Sequence, residues 1–290
     1  MNAIAVLPPS LVLDQLLQGW LLEDIGRGDR TTQGVLAGES RKGQGTWVAK
    51  APGIIAGLPI AARAFQLLSE QVSFVAVVSE GEWCTAPQVV AQLQGPLEAL
   101  LTGERVALNL AMRLSGIATL TRKYVEQIAE LPAQLVDTRK TTPGLRLLEK
   151  YATQVGGALN HRIGLDDAVM IKDNHIAAAG GIGIAIARVR QSLPYPLTIE
   201  VETESLDQVK EALQYGADII MLDNMAPELM QHAVQIIRHY NGKVKIEASG
   251  NITLETIRTV AETGVDYISS SAPMTQSNWL DLSMKVEQIP

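Results

Sequence analysis

The rhythm of apolar and polar positions changes partway along this chain. Up to about Ser115 the pattern is mixed: Leu11 to Leu22 reads as an amphipathic helix, and short runs around Gly45 to Lys50 and Gly53 to Ile55 read as strands. A helix near Ile60 to Ser69 follows, with further strand-like runs around Val72 to Ser79 and Val89 to Leu93. Helices and strands mixed in this order predict an α+β domain. The stretch ERVALNLAMRLSGIATLTRKYVEQIAE then repeats apolar positions every three or four residues. Gly103-Glu104-Arg105 is expected to open this long helix, which carries the chain into a second domain.

Beyond Leu135 the pattern becomes regular. Five apolar runs end in polar or charged groups, LVDTRK, AVMIK, LTIEVE, ADIIMLD and VKIEAS, and a sixth, VDYISSSA, ends in serines. Each is followed by a helical pattern after a short connection, the signature of parallel βαβ units. The fold expected is α/β: an amino-terminal α+β sandwich domain plus a reduced, open α/β barrel of about six to seven parallel strands. Residues 1–115 with 275–290 are assigned to the first domain and 116–274 to the second.

An internal repeat supports the barrel. TIEVETESLDQVKEALQYGADIIMLDN matches KIEASGNITLETIRTVAETGVDYISSS at an offset of about 47 to 48 residues. Gly216 and Gly264 fall on equivalent helix ends, and Asp218 and Asp266 precede equivalent strands.

At 290 residues and 47% apolar content, the chain has ample material for a packed core. Its net charge of -7 argues against nucleic-acid or acidic-membrane partners, so any anion site must be a local positive pocket. A lone cysteine, Cys84, excludes an intrachain disulfide framework and a cysteine-based zinc site, and fits a reducing cytoplasm. The opening residues lack the basic leader of a signal peptide, and no apolar run approaches the roughly 18 residues of a membrane span. A cytoplasmic protein is expected.

Chemistry concentrates between Asp137 and Ile176, where Arg139, Lys140, His161, Arg162 and Lys172 fall within forty residues. Cations at the carboxyl ends of buried strands, where α/β barrels keep their sites, suit a polyanionic small molecule. Glu202 and Asp223 end two further strands and suit Mg²⁺ or a developing positive charge. Two small-residue turns, Ser249-Gly250-Asn251 and Ser269 to Ala272, offer main-chain N–H groups to phosphate. Glu200 alternates with Glu202 and is read as a partner for a cation, while His175, His232 and His239 are read as structural. A helix cap is the alternative for Asp223, and a turn the reading for Arg27-Gly28-Asp29. Lys172 or Lys140 could instead form the Schiff base of a lyase, and a noncatalytic phosphate-binding module is a third possibility.

Read together, EDIGRGDRTT near residue 23, GERVALNLAMRLSGIAT at 103, DTRKTTPGLRLLEKYA at 137 and NHRIGLDDAVMIKDNHI at 160 resemble the quinolinate phosphoribosyltransferase family. IEVE, MLDN and IEASGNITLE complete the series in the family's order. The resemblance implies a type II phosphoribosyltransferase fold and transfer of a phosphoribosyl group from 5-phosphoribosyl-1-pyrophosphate to quinolinate. Loss of CO₂ then yields nicotinate mononucleotide and pyrophosphate in de novo NAD biosynthesis. It implies that Arg139, His161, Arg162 and Lys172 bind the quinolinate carboxylates, with Thr138 and Met170 beside them and Arg105 joining from the other subunit. Lys140 would contact the phosphoribosyl donor, Glu202 and Asp223 the ribose and its Mg²⁺, and Ser249, Gly250, Asn251, Ser270, Ser271 and Ala272 the 5-phosphate. Glu202, Asp223, Lys140 and Lys172 are the catalytic candidates, and a homodimer, with a trimer of dimers as the larger form, is the implied assembly. A homologous phosphoribosyltransferase acting on another acid is the nearest alternative. Ser271 stands where many relatives have glycine, which would strain the turn if that position needed a glycine-only backbone angle.

Overall fold

The computed structural model describes residues 5–289, so residues 1–4 of the amino-terminal stretch and Pro290 lie outside the described residues. The chain divides into two compact units: Met1–Arg122 with Thr142–Gly157 and Gln276–Pro290, and Lys123–Thr141 with Ala158–Thr275. The first unit begins with α1 (Ser10–Ile25), α2 (Arg30–Leu36), β1 (Lys42–Ala49), β2 (Gly53–Ile54) and α3 (Leu58–Leu68). β3 (Ser73–Ala76), β4 (Trp83–Cys84), β5 (Gln88–Pro96) and the long α4 (Leu97–Gln127) follow. After β6 (Gln134–Val136), which belongs to the second unit, α5 (Arg146–Gly156) returns to the first.

The second unit continues with β7 (Val169–Ile171), α6 (Asp173–Ala179), α7 (Ile182–Ser192), β8 (Ile199–Thr203), α8 (Leu206–Gln214) and β9 (Ile219–Asp223). α9 (Pro227–Tyr240), β10 (Lys245–Ser249), α10 (Ile257–Ala261), β11 (Tyr267–Ser269) and α11 (Ala272–Thr275) complete it, and β12 (Leu282–Gln288) closes the first unit.

In the first unit an antiparallel sheet of order β12-β1-β5-β3 buries alternate residues of β1, with Trp47 wholly enclosed. Trp47 meets Phe65 and Phe74 edge-on at 6.3 and 5.5 Å, contacts worth about 0.5–1.5 kcal/mol each beyond their buried area. Asp29 caps α2 by accepting the Thr32 main-chain N–H at 2.9 Å, so the Arg27-Gly28-Asp29 tripeptide leads into a helix cap.

Two features differ from expectation. α4 begins at Leu97, directly after Pro96, and not at Gly103. A Cβ on Gly103 would lie 2.8 Å from the Phe65 ring, so this glycine marks a close approach to α3 and not a helix start. The expected boundaries also shift, because residues 142–157 pack with the first unit. Leu148, Tyr151 and Ala152 of α5 are buried there, Glu149 receives Arg113 Nη2 at 2.8 Å and the Thr142 N–H at 3.0 Å, and the Tyr151 hydroxyl donates to Glu80 at 2.7 Å.

The second unit is a six-stranded parallel sheet of order β6-β11-β10-β9-β8-β7. Apart from β6, the strands follow one another in sequence, and only a β6–β7 pairing is lacking for closure: this is a barrel left open between its first two strands. The internal repeat is built twice with the same bonds. Asp218 Oδ2 accepts the Ile199 N–H and Asp266 Oδ2 the Ile246 N–H, both at 2.8 Å, while Arg190 and Arg238 pair with these aspartates at 3.5 and 2.9 Å. Gly216 and Gly264 both carry positive φ, at 75° and 93°. Among the described residues no helix is long and apolar enough to cross a membrane.

Candidate active site

The carboxyl ends of the six parallel strands surround a cavity of about 530 Å³ within the second unit. Its wall includes Thr138, Arg139 and Lys140 after β6, His161 and Arg162 from the following loop, Met170 and Lys172 at β7, and Glu202 on β8. Asp223 on β9, Ser249 at the end of β10 and Gly250 and Asn251 after it complete the lining. Thus most of the sequence-derived residues share one cavity. Because β6 ends at Val136, residues 138–140 form a loop, free of the strand rule that sends neighbours to opposite faces, and all three line the wall.

The cationic wall is held from behind. Asp137, buried and not anticipated, accepts the His161 N–H at 2.8 Å and Asn160 Nδ2 at 2.6 Å. Arg162 donates from Nη1 to the Ala168 carbonyl at 3.3 Å, while its Nε is buried without a hydrogen-bond partner among the described residues. Burial and then the like charge of Arg139 hold the Arg162 guanidinium below its usual pKa. Lys172 Nζ lies 2.5 Å from Glu202 Oε2, and the Lys172 N–H donates to His175 Nδ1, giving His175 a structural part.

The two glutamates of β8 separate cleanly. Glu202 lines the cavity, whereas Glu200 is buried against His161, Nε2 to Oε2 being 3.1 Å. Glu247, on β10 and unforeseen, approaches the same Nε2 at 3.4 Å. Burial disfavours a charged ring, but the hydrogen bonds and charges of Glu200 and Glu247 outweigh it and push the His161 pKa up to about 10. Burial likewise raises the Glu200 carboxyl, with the nearby Glu247 charge adding to it. The trio therefore keeps one proton more than a neutral ring and two carboxylates would carry. His161 Nδ1 accepts the Arg162 N–H at 2.7 Å, so the ring's own proton sits on Nε2, facing the two glutamates.

At the turn after β10, Gly250 has φ 92°, and a Cβ there would lie 2.1 Å from Asn224 Oδ1. Asn224, absent from the sequence-derived set, itself has φ 52°. Its side chain donates to Asp223 Oδ2 at 2.7 Å and accepts from Asn251 Nδ2 at 3.0 Å, tying the acidic strand end to the turn. Asp223 is not a helix cap, since α9 is capped at Ala226.

Ser270, Ser271 and Ala272 are not among the cavity's lining, where Ser269 stands instead. The Ser270 N–H is spent on the Val136 carbonyl and the Ala272 N–H on Ser270 Oγ. Ser271 has no positive φ, so the feared strain is absent there. Arg105 lies on the first unit, in a separate cavity of about 590 Å³ with Trp20, Asn109 and Arg113.

Two family models match in tandem: quinolinate phosphoribosyl transferase, N-terminal domain, over residues 29–115, and quinolinate phosphoribosyl transferase, C-terminal domain, over residues 117–285. The chain belongs to the quinolinate phosphoribosyltransferase family. It is 60% identical over 280 residues to a probable nicotinate-nucleotide pyrophosphorylase (carboxylating) of Synechocystis, an alignment spanning 97% of this chain and 94% of that one. Quinolinate phosphoribosyltransferase (decarboxylating) 2 of Nicotiana glauca, described as mitochondrial, is 39% identical over 96% of this chain and 83% of its own length. The crystal structure of NadC from Streptococcus pyogenes superposes with a TM-score of 0.92 at 40% identity, covering 98% of this chain and 100% of that one. That superposition shows that this chain shares its fold with the Streptococcus pyogenes protein.

Proposed function

We propose that this protein transfers the phosphoribosyl group of 5-phosphoribosyl-1-pyrophosphate to quinolinate, releasing pyrophosphate and CO₂ and leaving nicotinate mononucleotide, in the de novo synthesis of NAD. The observation that carries this reading is one cavity lined by Arg139, Lys140, Arg162 and Lys172 together with Glu202, Asp223 and the Gly250-Asn251 turn. Arginine forks suit the two adjacent carboxylates of the pyridine, and Lys140 suits the phosphates of the donor as a point charge. Met170 supplies an apolar surface for the ring and Thr138 a hydroxyl beside it.

Glu202 and Asp223 offer oxygen donors alone, which fits a hard dication. They would hold Mg²⁺, whose charge offsets that of the departing pyrophosphate. As that bond lengthens the ribose carbon becomes cationic, and fixed carboxylates near it stabilise the transition state more than the ground state. The pyridine nitrogen attacks that carbon. The resulting cationic ring accepts the electron pair left when the neighbouring carbon–carboxylate bond breaks, and that carbon takes up a proton as CO₂ leaves.

The pairing of Lys172 with Glu202 favours this role over Schiff-base chemistry, which needs an uncharged amine. Arg105 would complete the quinolinate pocket from the partner subunit of a homodimer, with a trimer of dimers as the larger assembly. A cytoplasmic setting agrees with the lone, buried Cys84.

The test is an assay with quinolinate, 5-phosphoribosyl-1-pyrophosphate and Mg²⁺ that detects nicotinate mononucleotide and CO₂ together, with nicotinate as the control. Product from quinolinate alone is expected. Product from nicotinate alone would overturn the assignment of the arginine pocket, and none from either would overturn the reading as a whole.

A further inference from the structure

His161 lines the cavity, yet both of its ring nitrogens are taken by the protein: Nδ1 accepts the Arg162 N–H at 2.7 Å, and Nε2 faces Glu200 and Glu247 at 3.1 and 3.4 Å. A ring so engaged has no N–H left for a carboxylate ligand. Arg162 is in the reverse condition. Only its Nη1 has a protein partner among the described residues, the Ala168 carbonyl, and its Nε is buried unpaired. Nε and Nη2 form the side-on fork with which a guanidinium grips a carboxylate through two parallel bonds.

The pair behind the ring comes from the internal repeat, in which the Ile-Glu of β8 and the Ile-Glu of β10 occupy equivalent places. Both glutamate side chains are nearly inaccessible, at 3% and 4% exposure, and each has an Oε1 with no hydrogen-bond partner among the described residues. Buried carboxylates are costly unless a donor meets them, and here the donor is one imidazole edge. The ring is thereby fixed on one side by two carboxylates and fixes the Arg162 main chain on the other. The Glu200 charge also acts on the Arg162 guanidinium directly.

We propose that Glu200 and Glu247 are positioning residues that act through His161 on Arg162, so that the substrate carboxylate meets the Arg162 fork and not the imidazole. This rests on the reading of a pyridine dicarboxylate as substrate. It assigns a part to two buried acids in a pocket built for an anion: their charge restrains the neighbouring cations in a fixed geometry and lowers the self-repulsion of Arg139, Arg162 and Lys172.

Two measurements test it on the full-length protein. With ¹⁵N-labelled histidine, the His161 resonances, identified by their loss in His161→Gln, are expected to show the Nε2–H tautomer with Nδ1 as acceptor, unchanged when quinolinate is added. An Nδ1–H tautomer, or a large shift on adding quinolinate, would overturn the proposal, and this reading needs no variant at the acids to fold. In kinetics, the Glu200→Gln/Glu247→Gln variant is expected to raise the KM for quinolinate about tenfold or more, with kcat and the KM for phosphoribosyl pyrophosphate within about threefold. An unchanged quinolinate KM overturns the positioning role. So does a stoichiometric metal found in the purified protein and lost to both substitutions, which would make His161, Glu200 and Glu247 a metal centre. If the wild-type protein fails to turn over quinolinate at all, the proposed function has failed, a result distinct from normal wild-type turnover with indifferent variants.

Discussion

Lys172 Nζ and Glu202 Oε2 are 2.5 Å apart, the cation more than two-fifths exposed and the carboxylate nearly enclosed. The cationic and acidic groups of the cavity meet at this pair. With Mg²⁺ held as proposed, a dicarboxylate that engages Lys172 would free Glu202 for the dication, and a dication on Glu202 would free Lys172 for a carboxylate. Quinolinate and the Mg²⁺–phosphoribosyl pyrophosphate complex should therefore favour each other's binding by about fivefold or more, a modest coupling energy. Calorimetric titration of each ligand with and without the other measures it, and Lys172→Met should abolish the coupling while lowering kcat/KM for quinolinate about 100-fold.

Arg105 and Lys172 belong to different compact units of one chain. If Arg105 serves the partner's site, Arg105→Ala and Lys172→Met proteins, each inactive alone, should recover about a quarter of wild-type activity when co-expressed in equal amounts, since half of the dimers then hold one intact site. Recovery of nothing, with mixed dimers demonstrated by mass, assigns Arg105 to its own chain.

The proton held among His161, Glu200 and Glu247 has the raised pKa, so its contribution to stability has a defined sign. It is fully present below the ordinary imidazole value near 6.5 and is lost as pH rises through about 10. Thermal unfolding midpoints should fall across that window, and His161→Gln should remove that part of the slope. A wild-type midpoint that is flat from pH 6.5 to 10 contradicts the raised value.

A methyl group at Gly250 would strike Asn224 Oδ1 and face a φ of 92°. Gly250→Ala should raise the KM for phosphoribosyl pyrophosphate about tenfold, in keeping with roughly 1–2 kcal/mol of backbone strain, while the quinolinate KM changes little. Equal effects on both constants would show that the turn serves the whole cavity and not the phosphate alone.

Much of this was legible in the sequence. The six parallel strands announced themselves as apolar runs ending in charge, and the residues at those ends do share a cavity. The start of α4 was not, because a glycine inside a helix and a glycine at its boundary look alike until Phe65 is found against Gly103. α5 showed a helical pattern, but periodicity names no partner, and Arg113 and Glu80 that receive it lie far back in the chain. Ser270 to Ala272 read as a phosphate cradle by composition, yet two of those N–H groups are already committed within the turn and to β6. Glu247 was written in the repeat as the counterpart of Glu200. What concealed its part was His161, which no local spacing connects to β10.

The open seam between β6 and β7 gives the site two different stiffnesses. Lys172 hangs from β7, a three-residue edge strand laddered on one side only, whereas β6, which leads into Arg139 and Lys140, is bridged on its other side by Leu159. Glu202, Asp223 and Ser249 hang from β8, β9 and β10, each laddered on both sides. Edges of a sheet open at lower free energy than its interior. Lys172 is thus mounted on the compliant rim, while the acids and the turn after β10 form the anvil against which its motion is referenced.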